Sequence, residues 1–154
     1  MPLFNLRDLR ARLAPGQRLI GLDLGRKTVG VALSDAALLI ASPAPPLPRG
    51  RLADLAAALR QLATREGAGG IVVGLPLSLD GSFGPAAQAA KDWAAAVSAA
   101  TGLPAALWDE RLSSAAVNRM LIAEADLSRR KRARAVDSAA AAWMLQGALD
   151  SLRH

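Results

Sequence analysis

Residues 18–25 read Arg-Leu-Ile-Gly-Leu-Asp-Leu-Gly, and residues 26–34 continue Arg-Lys-Thr-Val-Gly-Val-Ala-Leu-Ser. In the first stretch Ile20, Leu22 and Leu24 fall on one face of an extended chain, with Gly21 and Asp23 on the other. That period predicts a strand over Arg18–Gly25. Gly25-Arg26-Lys27-Thr28 supplies a turn, and Val29–Ser34 a second strand, so the pair reads as a hairpin. Asp23 is the exceptional residue. A carboxylate inside an apolar strand is costly unless it is paired or binds a metal. The plain alternative is an Asp that caps the turn after it.

Working outward, Leu38–Ser42 reads as a third strand and Pro43–Gly50 as a Pro-rich loop. Leu52, Leu55, Leu59 and Leu62 form one stripe of a helix over Arg51–Glu66, with Gly67 as its stop. Ile71–Leu75 is apolar without alternation, as a strand buried on both faces should be. Pro76–Gly84 is a loop with an Asp80-Gly81 turn, and either its glycines serve turns alone or it is a flap that touches substrate. A helix over Pro85–Ala100 opens on proline, and a short strand over Ala105–Trp108 ends at Asp109-Glu110. Ser113 or Ser114 caps a helix to about Glu124, and a last helix runs from about Arg130 to Leu152. Leu3–Leu13 suits a short amphipathic helix closed by Pro15-Gly16. Three strands followed by alternating helices and strands predict an α/β fold: a five-stranded mixed sheet flanked by helices on both faces. Residues 1–154 read as a single domain, with 1–17 as an N-terminal extension.

Composition narrows the chemistry. The 154 residues suffice for a real core, and 52% of them are hydrophobic. There is no cysteine, and the single histidine is His154, so thiol chemistry, a Ser-His-Asp triad and Cys- or His-based zinc sites are set aside. Catalysis must rest on carboxylates, Arg, Lys, Ser or backbone groups. A net charge of +6 is compatible with a polyanionic partner. No apolar run approaches the roughly 20 residues of a membrane span, and Met1–Gln17 has no signal-peptide pattern. A cytoplasmic location without membrane association is the expectation.

Two further acidic positions join Asp23. Asp109-Glu110-Arg111 follows the last strand, at the strand carboxyl ends where sites gather in open α/β sheets; the alternative is a surface cluster with an internal ion pair. Asp137 falls on a helical face with Ala140, Ala141, Met144 and Ala148, small enough to let that helix lie close to the sheet; the alternative is an acid stabilised by the helix dipole. All are oxygen donors suited to hard ions such as Mg²⁺ or Mn²⁺. Two such ions roughly 4 Å apart stabilise the charge that builds in phosphodiester cleavage and activate a water. The run Arg129-Arg130-Lys131-Arg132 lies just upstream of Asp137, where a phosphate backbone could approach; the alternative is a solvated helix start. With five aromatic side chains in all, stacking platforms are poorly supported, and recognition should go through backbone and shape.

Four blocks of the sequence resemble the YqgF family, also called RuvX: pre-16S rRNA nucleases similar to Holliday junction resolvases. They are Gly21–Asp35, Val73–Gly81 (Val-Gly-Leu-Pro-Leu-Ser-Leu-Asp-Gly), Asp109–Ser114 (Asp-Glu-Arg-Leu-Ser-Ser) and Val136–Gln146. The resemblance implies a ribonuclease H-like fold, with metal-binding catalytic acids at Asp23, at the Asp109-Glu110 pair and at Asp137. Adjacent residues of an extended segment point to opposite sides, so one of the pair ligates and the other meets an Arg. Arg26, Lys27 and Arg111 become candidate nucleic-acid contacts beside Arg129–Arg132. Two departures touch those contacts: Thr28 stands where Arg is common, and Ser113-Ser114 where two threonines are usual. The implied activity is a metal-dependent endonuclease that processes the 5′ end of pre-16S rRNA. Cleavage of four-way DNA junctions is the main alternative, and it requires a homodimer rather than a monomer. A non-catalytic RNA- or ribosome-binding module and an actin-like ATPase relative stand behind these.

Overall fold

The computed structural model describes residues 3–76, 84–109 and 129–153, with the backbone alone over 129–138. The elements are α1 (Leu6–Arg12), β1 (Arg18–Leu24), β2 (Thr28–Ser34), β3 (Ala41–Pro48), α2 (Leu52–Glu66), β4 (Ala68–Leu75), α3 (Pro85–Thr101), β5 (Ala105–Asp109) and α4 (Arg129–Ser151). The helix expected between Ser113 and Glu124, and most of the loop expected between Pro76 and Gly84, lie outside the described residues.

The five strands form one mixed sheet in the order β3-β2-β1-β4-β5. The hairpin of β1 and β2 is antiparallel, as is the pair β2–β3, while β1, β4 and β5 run parallel. α2 and α3 cover one face, where Leu55, Leu59, Ala94 and Val97 pack with Ile20, Leu22, Val31, Ile71 and Val73. α1 and α4 cover the other, where Leu9, Ala141, Met144, Leu145 and Leu149 pack with Leu19, Ala32, Val72 and Ala106. β1 and β4 sit between two cores, which explains their continuous apolar runs. Gly67 and Gly102 stop α2 and α3 in the left-handed region, at φ 69° and 75°, where a side chain would be strained. No helix among the described residues is long and apolar enough to cross a membrane.

One expectation needs correction. The third strand is Ala41–Pro48, so the stretch read as a Pro-rich loop is the strand, and most of the stretch read as strand is a turn. Proline is excluded from central strands because it donates no ladder hydrogen bond, but β3 lies at the sheet edge, where that loss is tolerated. A register shift between Val29 and Val31 helps to fit it. The turn is closed by Asp35, whose Oδ1 accepts the N–H groups of Leu39 at 2.7 Å and Ile40 at 3.0 Å. These bonds, from Ile40 first and then Leu39, hold its carboxyl below the usual value. α4 is tied to the same edge, since Gln146 Oε1 accepts the Ala41 N–H at 2.8 Å and its Nε2 donates to Leu39 O at 2.9 Å.

α4 packs closely on β1. A Cβ added at Gly21 would stand 2.9 Å from Leu145 Cβ and 3.4 Å from the Ala141 carbonyl oxygen. Neither is a flexible side-chain tip, so the helix itself would have to move.

Two outcomes follow from this packing. Gly21→Ala should cost about 1–3 kcal/mol of stability by overpacking, read as a lowered Tm in thermal unfolding followed by circular dichroism. For Asp35 the folded carboxyl titrates below the unfolded one, so its stabilisation is present above the unfolded value and is lost as pH falls through the folded one. Asp35→Asn should therefore be less stable than wild type at neutral pH, with the gap closing as pH drops below about 4 in urea titrations; a gap that stays constant to low pH would refute the assignment.

Candidate metal and nucleic-acid site at the carboxyl edge of the sheet

β1, β4 and β5 are parallel, so their carboxyl ends share one edge of the sheet. Asp23 is the penultimate residue of β1 and lies opposite Gly30 of β2. Leu22 pairs with Val73, which sets Asp23 beside Gly74, and Gly74 pairs with Trp108. The row across the sheet is thus Gly30, Asp23, Gly74, Trp108. Gly30 and Gly74 are buried and Asp23 is half-buried. The residues beside Asp23 on both neighbouring strands are therefore glycines, which put no side chain next to the carboxylate.

Strand alternation fixes the face. Gly21 lies under Ala141 and Leu145 of α4, and Asp23, two residues on, shares that face. Asp137 stands in α4 one helical turn before Ala141. Ala141, Met144 and Ala148 are buried, as the small-residue face read from the sequence requires; the Asp137 side chain is outside the described residues.

At the end of β5, Ala106 belongs to the α4-side core and Ala105 to the opposite core. Continuing the alternation, Trp108 falls on the α4 face and Asp109, paired with Leu75, on the α2–α3 face. Asp109 is half-buried and has an interaction partner. Glu110 and Arg111 lie outside the described residues. Arg129–Arg132 occupy the start of α4, again with their side chains outside. Among the described residues no three His, Cys, Asp or Glu side chains converge as a metal cluster. The donor set still fits a hard divalent ion, since all candidates are carboxylates.

Arg26 and Lys27 are exposed in the β1–β2 turn, where a phosphate backbone could reach them. That turn is braced by a residue the sequence reading passed over. Arg49 Nη1 donates to Gly25 O at 3.0 Å, and its backbone N–H donates to Lys27 O at 2.9 Å. No local pattern marks Arg49, because its partners are more than twenty residues upstream. A cleft of about 250 Å³ opens here, lined by Leu24, Gly25, Arg26, Arg49, Gly74 and Pro76 and by Ala86, Ala89 and Ala90 of α3. Clefts of about 430 and 460 Å³ exist elsewhere, but both are lined by Arg60 and Thr64 of α2 and neither takes in a strand carboxyl end.

Known proteins are similar to this chain in sequence and in fold. The family model described as "RuvX: Holliday junction resolvase" matches residues 17–151. A relative from Gluconacetobacter diazotrophicus is 62% identical over 151 residues, covering 98% of either chain. Another, from Gluconobacter oxydans, is 58% identical over 153 residues, covering 99% of this chain and 96% of its own. Both bear the name "Putative pre-16S rRNA nuclease". Among solved structures, Thermus thermophilus RuvC in complex with a Holliday junction substrate superposes with a TM-score of 0.54 at 17% identity, over 89% of this chain and 96% of its own. The fold is ribonuclease H-like, as the motif blocks implied.

Proposed function

Because this chain belongs to the RuvX family, and is accordingly a hydrolase of phosphodiester bonds, we propose that it is a divalent-metal-dependent endonuclease whose natural substrate is pre-16S rRNA, trimmed at its 5′ end. The observation that carries the catalytic part is Asp23: a carboxylate at the carboxyl edge of the sheet, flanked by Gly30 and Gly74 and on the face that α4 covers. The names of the full-length relatives carry the substrate. In the same reading the described elements form one nuclease unit, residues 1–17 are its extension, and the protein works in the cytoplasm.

Asp23 and Asp137 are the fixed acids of this site, one on a strand and one on the helix packed against it. Of the neighbouring pair, alternation along β5 favours Glu110, since Asp109 falls on the opposite face and Glu110 is the next residue along. Mg²⁺ or Mn²⁺ held by these carboxylates would supply charge stabilisation at the phosphate and an acidified water. The chain itself places the acids, keeps the face beside Asp23 clear, and brings cations to the backbone through Arg26, Lys27, Arg111 and Arg129–Arg132. These residues neutralise phosphates without reading bases.

The family description supports a second reading, cleavage of four-way DNA junctions. Symmetric cleavage of a junction needs two sites and hence a dimer, so a monomer in light scattering that cuts precursor rRNA and leaves junctions intact would decide for RNA.

Asp23→Asn should lower cleavage by roughly 10²–10³-fold, the scale of losing one directly acting group, with nucleic-acid binding retained. Equal cleavage by wild type and variant in Mg²⁺ or Mn²⁺ would remove Asp23 from the site, whereas binding without any cleavage by the wild type would revive a non-catalytic role. Glu110→Gln should resemble Asp23→Asn, while Asp109→Asn keeps most activity; the reverse order in a single-turnover assay would invert the assignment of the pair.

A further inference from the structure

The cleft beside the β1–β2 turn lies at the carboxyl edge but not on the Asp23 side of the sheet. Leu24 lines it, and Leu24 packs with the core shared by α2 and α3. Its far wall is α3. Gly25 and Gly74 form the rim between the two sides: Gly25 follows Asp23 by two residues, and Gly74 sits beside Asp23 in the sheet. The wall residues Ala86 and Ala90 are small, and no acidic side chain stands among the described lining residues. Arg26 and Arg49 thus bring two cations to the lining of the cleft, and no carboxylate among the described lining residues neutralises them. Arg26 makes no hydrogen bond or ion pair among the described residues. Arg49 spends one Nη1 donor on Gly25 O and has further guanidinium donors available.

We infer that this cleft is a second phosphate subsite, holding through Arg26 and Arg49 a backbone phosphate that neighbours the one presented to Asp23. A strand crossing the sheet edge at the half-buried Gly25 meets no side chain there, and it would present one phosphate on each side. Arg49 thereby couples two tasks, since the guanidinium that braces the turn after Asp23 also contacts substrate. The inference rests on the nuclease reading for the identity of the ligand, a phosphodiester backbone, but its test does not depend on turnover.

The test measures binding by fluorescence anisotropy with a labelled RNA hairpin carrying a single-stranded tail. It compares the full-length protein with Arg26→Gln, Arg49→Met and Asp23→Asn variants across a salt series, with Mg²⁺ present. Arg26→Gln and Arg49→Met should each weaken binding roughly tenfold, as loss of a charged hydrogen bond does, and each should reduce the slope of log K against log salt by about 0.7–0.9, one phosphate's share. Asp23→Asn should leave that slope unchanged. Arg26 is the control for folding, because it holds nothing in place among the described residues. If Arg49→Met lowers the Tm and cleavage while both Arg variants keep the wild-type slope, Arg49 only braces the turn and the subsite is refuted. If both slopes fall while Asp23→Asn still cuts at the wild-type rate, the subsite stands and the catalytic assignment falls. If the wild type shows no salt-dependent binding at all, both fall.

Discussion

The approach of α4 to β1 at Gly21 sets the geometry on which the rest depends. A helix can rest this close to a sheet only where one side of the contact has no side chain and the other has short or well-fitted ones. Gly21 supplies the first condition; Ala141 and Leu145 supply the second. The same contact bears on the proposed site, because Asp23 lies two residues beyond Gly21 and Asp137 one turn before Ala141 in the chain. In the nuclease reading a methyl group at Gly21 would act on that site without touching it. The Ala-rich face of α4 extends the contact along the sheet.

How much of this was legible in the sequence follows from the range of the interactions. The hairpin, α2, β4, α3 and α4 were readable from local signals: alternation in β1, a leucine stripe and Gly67 for α2, an unbroken apolar run for β4, the opening proline of α3 and the small-residue face of α4. Their ends match within a few residues; the start of β4 at Ala68 was hidden by Gly69 and Gly70, which carry no pattern. β3 was misread because strand propensity treats proline as a breaker, while the fold uses proline at an edge where no inner neighbour is lost. That fact belongs to the sheet order, which local sequence does not encode. Asp23 stood out because a charge in an apolar run is locally anomalous. The choice between Asp109 and Glu110 needed the alternation of β5, which puts Asp109 on the α2–α3 face; Glu110 lies outside the described residues. Arg49 was invisible for the same reason as β3: its partners, Gly25 and Lys27, are near it only after two strands have paired.

In the proposed nuclease reading the row Gly30, Asp23, Gly74 suits a bulky polyanion. Sites that grip small ligands surround them with side chains. Here the residues beside Asp23 on both neighbouring strands are glycines, and the exposed Arg26 and Lys27 stand in the β1–β2 turn. Contact with the sugar-phosphate backbone alone would tolerate many base sequences. The scarcity of aromatic residues fits the same economy.

The two outer strands of the sheet have a consequence of their own. Four of the eight residues of β3 are proline and carry no N–H. On the opposite side, the outer rim of β5 is already engaged by Phe4, whose N–H donates to Ala105 O at 2.8 Å and which bridges to Ala106. The sheet thus ends in a barrier at one side and a plug at the other, and it resists growth by adding strands from a second molecule. Among the described residues neither outer strand offers a full ladder to a second copy, so the position of the sheet's carboxyl edge is set by the strands of one chain.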